Sequence, residues 1–138
     1  MKFARWVFII AGIYGIIIIT PLFFSENQIG INFPPAITHP EYFYGFLSVT
    51  FAWQILFLFI AVNPVKYKLL IFPAMLEKYF YGAVLITLYS QSRLPAMVLS
   101  GGIVDLILGI LFVVAFFKAK KKPEPAELSS EFESNQDG

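Results

Sequence analysis

Hydrophobic positions in this chain fall into four long runs, with no alternation and no narrow helical stripe. The runs cover about 3–24, 41–62, 69–89 and 95–117, and each is apolar almost throughout. A helix rises about 1.5 Å per residue and the hydrocarbon core of a bilayer is about 30 Å thick, so about 20 apolar residues suffice to cross it. All four runs reach that length, and a helix that is apolar all round is one surrounded by protein or lipid. The polar gaps between them are short, so consecutive helices are expected as antiparallel neighbours. The pattern predicts an all-α membrane protein, an up-and-down bundle of four transmembrane helices over residues 1–117, followed by a tail over 118–138. No repeat of solenoid type is visible.

The gaps carry recognisable breakers. Pro64 follows Asn63 at the end of the second run, and Pro95 suits the first turn of the fourth. Thr38, His39, Pro40 and Glu41 match the S/T-x-x-E spacing, which predicts Thr38 as the cap of the second helix and places Glu41 at the positive end of its dipole. Pro73 allows two readings. Either it sits inside a long third helix that starts near Leu69, or it begins that helix and leaves 64–72 as an interfacial segment containing Lys66 and Lys68.

Composition agrees with the bilayer reading. The chain is 58% hydrophobic and 14% charged, with a mean hydropathy of +0.73, whereas soluble domains carry about 25% charged residues. The formal net charge of +1 gives no field that would recruit nucleic acid. The absence of cysteine excludes a disulfide framework, a thiolate metal site and dithiol redox chemistry. His39 is the single histidine. It stands near Glu41, but zinc sites use three or four protein ligands, so no metal or other cofactor is expected.

Basic residues set the expected direction. Lys2 and Arg5 precede the first span, Lys66 and Lys68 follow the second, and Lys118, Lys120, Lys121 and Lys122 open the tail. The first gap has no basic residue and the third has only Arg93. Both termini are therefore expected in the cytoplasm. Trp6 and Tyr67 would lie at the inner interface, and Tyr42, Tyr44 and Tyr89 at the outer one. The first run ends in Thr20, Pro21, Leu22, Phe23 and Phe24 without a small-x-small cleavage pattern, so it is expected to stay as a span. The acidic, Pro-bearing tail has little to bury and is expected to be disordered. Its Lys cluster suits a stop-transfer anchor that touches membrane lipids.

Small residues mark expected helix contacts: Gly45, Ser48 and Ala52 in the second span, Gly102, Asp105 and Gly109 in the fourth, and Ala11 and Gly15 in the first. These stripes more often serve packing within a bundle than a homodimer interface.

Charged residues deep in a membrane tend to face the bundle interior or a water cavity. Here they are Glu77 and Lys78 in the third span and Asp105 in the fourth, with Gln54 beside Trp53 in the second and Tyr14 in the first. Counted from the outer face, Gln54 and Glu77 lie about 13 residues deep, Asp105 about 10 and Tyr14 about 9, depths that overlap at about 1.5 Å per residue. Glu77 and Lys78 diverge by about 100° on a helix. Glu77 shares a face with Ala74 and Tyr81 and is expected to point inward, and Lys78 is expected to snorkel toward the inner surface. The candidate ligand-binding residues are therefore Glu77, Asp105, Gln54, Tyr14 and Tyr81, with Trp53 lining the apolar part. Such a pocket would take a polar headgroup, a proton or a small cation. The plainer reading is a hydrogen-bonded cluster that sets helix register, each contact contributing about 0.5–2 kcal/mol.

No phosphate-binding loop, nucleophile triad, zinc-protease motif or haem-ligand pair is present, so no catalytic residue is assigned. The first span has no acid, unlike that of small multidrug transporters, which carry a key glutamate there.

Several stretches together resemble small bacterial four-helix membrane proteins of unknown function, the BphX-like group, and more distantly DoxX-like proteins. They are Arg5 to Phe8 with Ala11 to Gly15, Thr38 to Phe46, Ala52 to Gln54, Asn63 to Tyr67, Leu76 to Lys78, and Asp105 to Phe112. The resemblance covers nearly the whole chain before the tail. It implies a four-helix bundle in a bacterial inner membrane and carries no activity with it. The leading functional expectation is a non-enzymatic protein that binds a small amphipathic molecule in an intramembrane polar pocket. A structural or accessory subunit that docks a membrane-protein partner comes second, a proton- or ion-coupled small transporter third, and an intramembrane enzyme fourth.

Overall fold

The computed structural model describes residues 2–120; the expected disordered tail falls almost wholly outside them. The described residues form five α-helices and no strand: α1 (Lys2–Leu22), α2 (Glu26–Asn32), α3 (Pro40–Val62), α4 (Lys68–Ser90) and α5 (Ala96–Lys118). The four long helices overlie the four apolar runs, and each is long and apolar enough to cross a membrane. The molecule is an all-α, multi-pass membrane-protein bundle. Its outward surface is a coat of Ile, Phe, Val and Leu side chains, as a lipid-facing surface requires.

The helices form a ring in the order α1, α3, α4, α5. Packing is most extensive between α1 and α3 and between α4 and α5; α5 also closes on α1, and the α3–α4 seam is the lightest. The short helix α2 was not anticipated. It is held to α3 by a hydrogen bond from the Tyr44 hydroxyl to Glu26 Oε2, 2.8 Å.

Helix ends follow backbone chemistry. Thr38 does not cap α3. The N-cap is His39, whose carbonyl accepts from Tyr42 N at 3.1 Å and Phe43 N at 3.3 Å. Pro40 occupies the first helical position, so Glu41 falls at the second and the capping-box spacing is out of register by one. Glu41 Oε1 instead meets His39 Nδ1 at 3.0 Å. Helix α4 starts at Lys68 and runs through Pro73, which resolves the two readings in favour of the long helix. The missing proline N–H frees only the carbonyl of Leu69, four residues earlier, on an exposed turn. At the far end of α4, Ser92 adopts a positive φ of 56°. Ser92 N donates to the Tyr89 carbonyl and Arg93 N to that of Leu88, both at 2.9 Å, which closes the helix with a Schellman motif.

The apolar core occupies the end of the bundle where the chain begins. Ala4, Val7, Phe8 and Ala11 of α1 meet Phe57, Ile60 and Ala61 of α3, Ile71 and Ala74 of α4, and Phe112 and Ala115 of α5. Phe8, Phe57 and Phe112 are fully buried and mutually packed, with ring centroids 4.4 Å apart for Phe8–Phe112, 5.1 Å for Phe57–Phe112 and 6.1 Å for Phe8–Phe57. The small residues of α1 and α5 behave as expected: Ala11, Gly15, Gly102 and Gly109 are buried. Those of α3 do not. Gly45, Ser48 and Ala52 lie on its exposed face, because α3 turns Leu47, Gln54, Phe57 and Ile60 inward.

Candidate functional site: a charged cavity inside the bundle

Beyond the phenylalanine core the four long helices leave a cavity of about 170 Å3. Helix α1 contributes Ala11, Tyr14, Gly15, Ile18, Ile19 and Leu22; α3 contributes Phe46, Thr50 and Gln54; α4 contributes Glu77, Lys78 and Tyr81; α5 contributes Gly101, Asp105 and Leu108. The lining runs from mid-bundle to the ends of α1, α3 and α5 remote from the N-terminus.

Its centre is an ion triad. Lys78 Nζ lies 3.0 Å from Asp105 Oδ1 and 3.2 Å from Glu77 Oε2, and it donates a longer hydrogen bond to Glu77 Oε1 at 3.4 Å. The side chains are 5%, 19% and 15% exposed for Lys78, Glu77 and Asp105. This corrects the expected direction of Lys78. It does not snorkel to the surface; it points inward and bridges both acids. Lys78 is the tenth residue after Lys68, about 15 Å along the helix, too deep for its stem to regain the interface. Two carboxylates in apolar surroundings also attract the nearest ammonium strongly. The Lys78 ammonium stands 5.3 Å from the Phe57 ring centroid and so marks the boundary between the core and the cavity.

Gln54 is 2% exposed. Its Nε2 donates to the Thr50 carbonyl at 3.0 Å. That bond fixes which end of the amide is which, since two carbonyl oxygens cannot pair. Oε1 therefore lies toward α1, in space left by Gly15: a Cβ there would collide with the Gln54 side chain. Glycine at this position is what allows a polar side chain to lie between α1 and α3. Tyr81 lines the cavity and stacks on Phe46, centroids 6.0 Å apart. Tyr14 completes the wall and remains partly exposed.

Of the six candidate residues, the structure brings Glu77, Asp105, Gln54, Tyr14 and Tyr81 onto one cavity. Trp53 is not part of that wall. It packs against the apolar core, 6.3 Å from Phe57 between ring centroids. Lys78 and Thr50 are lining residues that sequence reasoning missed. Thr50 had a signal, since it lies one helical turn before Gln54 on the same face. Among the described residues no group of three His, Cys, Asp or Glu side chains is placed to hold a metal.

No family model, curated protein or solved structure matches this chain.

Proposed function

We propose that this protein binds a small amphipathic molecule in the cavity between its four spans. One observation carries the reading. Charged and polar side chains from four separate helices converge on space large enough to hold a ligand, inside a fold otherwise built of apolar surface. Buried polar groups that only set register are expected to close on one another, because each unpaired group in a low-dielectric interior is costly. Here the cluster borders open volume. Intramembrane ionisable groups in such a setting mark ligand or ion sites by default.

The same proposal puts the chain in a bacterial inner membrane with both termini in the cytoplasm, among BphX-like proteins. The support for the orientation is charge asymmetry: Lys2, Arg5, Lys66, Lys68, Lys118 and Lys120 gather at one end of the bundle, and Arg93 is the one described Lys or Arg at the other. A second reading, an accessory subunit of a membrane complex, draws on the exposed small-residue face of Gly45, Ser48 and Ala52.

Native mass spectrometry of the gently extracted protein tests the first reading. The expected result is a stoichiometric small molecule that is lost in Glu77→Ala and Asp105→Ala. A bare protein, or one found only with a partner polypeptide, would move the accessory-subunit reading ahead.

A further inference from the structure

The charge and hydrogen-bonding balance of the cavity narrows the ligand class. Two carboxylates, Glu77 and Asp105, face one ammonium, Lys78, so the fully ionised triad carries one surplus negative charge. Lys78 is the one basic residue among those lining the cavity. Two of its three N–H donors are taken by the two carboxylates and its ammonium lies beside the Phe57 ring, so it has little left to offer an anion.

The open hydrogen-bonding positions point the same way. Glu77 Oε2 is buried and accepts no hydrogen bond from a described residue; its contact with Lys78 is ionic in distance but lacks hydrogen-bond geometry. Among the described residues nothing donates to Gln54 Oε1 or to Asp105 Oδ2. All three are acceptors; Glu77 Oε2 is shut off from the open volume, whereas Asp105 Oδ2 and Gln54 Oε1 keep accessible surface that a donor can reach. The remaining wall includes three aromatic side chains, Tyr14, Tyr81 and Phe46, whose ring faces attract cations. The size sets a limit. An apolar hole of about 150 Å3 accepts one benzene, so a cavity of about 170 Å3 takes a group of similar bulk.

Resting on the proposed binding function, we infer that the ligand presents a protonated amine: a small organic ammonium, of about seven non-hydrogen atoms or with a head of that size. Its charge balances the triad. Its N–H groups supply the donors that Asp105 Oδ2 and Gln54 Oε1 lack, and its carbon chain lies against Ile18, Ile19 and Leu108.

Three probes of equal length and different charge separate the possibilities: hexylammonium, hexanol and hexanoate, each titrated into the full chain in lipid nanodiscs at neutral pH. Binding is read by calorimetry and by native mass spectrometry. The expected result is one saturable hexylammonium per chain, held at least about tenfold more tightly than hexanol, the ratio set by roughly one retained charge contact. Hexanoate is expected not to bind. Glu77→Gln and Asp105→Asn, which keep side-chain shape, should each remove the preference for ammonium over alcohol. The selectivity is measured on the unaltered chain, so a variant that fails to fold leaves the test intact. Equal binding of ammonium and alcohol, or preference for hexanoate, would overturn the ammonium inference and leave the binding function standing. Binding of none of the three, together with a bare protein in the extraction experiment, would overturn both.

Discussion

The two ends of this bundle solve opposite problems with the same four helices. Near the N-terminus three phenylalanines fill the centre and small residues let the helices close around them. Beyond Phe57 the same helices present Glu, Lys, Asp, Gln and Tyr to an open volume. In lipid, helices are held together by packing and by hydrogen bonds, not by exclusion of water. The phenylalanine end uses the first means. The cavity end relies largely on the second, through the bridge from Lys78 on α4 to Asp105 on α5. A bundle built this way can leave one end unfilled because the other end is filled so completely.

Substitutions at the two ends should therefore differ in kind. The largest effect is expected from Lys78→Met. It leaves two largely buried carboxylates without their cation, a loss of up to about 3–5 kcal/mol, the range for breaking a buried ion pair. Unfolding of the purified protein in mixed micelles would measure it. Neutralising all three partners together, with Glu77→Gln, Lys78→Met and Asp105→Asn, should recover much of that loss. Failure to recover would mean that Lys78 matters through its stem packing and not its charge. Phe112→Ala at the opposite end should cost at most about 3 kcal/mol, the lower end for such a truncation, because lipid and not water surrounds the weakened bundle. Its ligand selectivity should be unchanged, and a change would show that the two ends are coupled. The smallest effects come from a glycine pair. Gly15→Ala forces the Gln54 side chain out of its place and should cost about 1–3 kcal/mol, as overpacking does, with relief in the double variant that also carries Gln54→Ala. Gly45→Ala meets no atom within 4 Å, so its effect on stability should stay within about 0.5 kcal/mol. A larger shift, or a change in oligomeric state, would reveal that this exposed face is covered by a partner.

The architecture was legible because lipid imposes one simple demand, about 20 apolar residues for each crossing. The cavity was partly legible, because intramembrane Glu77, Asp105 and Gln54 announce themselves by rarity and share a depth. The direction of Lys78 was not. It depends on how deep the residue lies, and that depends on where α4 begins. Starting from Pro73 it would sit within two turns of the interface and could reach water; starting from Lys68 it is nearly three turns in and cannot. The inward face of α3 was obscured for another reason. Small residues suggest contact, but here Leu47, Phe57 and Ile60 fill the interior and the small stripe is left outside. Helix α2 carried no apolar run long enough to declare it.

The adjacency of Glu77 and Lys78 also bears on how the protein is made. A lone carboxylate entering the bilayer on a nascent helix costs about 2.5–3.5 kcal/mol on insertion scales. Asp105 follows Lys78 by 27 residues, so Lys78 reaches the membrane ahead of that partner. With Lys78 next to Glu77, the segment carries its own counter-ion and waits as a neutral pair. The arrival of α5 then converts the pair into the triad, so the site is completed only when the last of the described helices has been inserted.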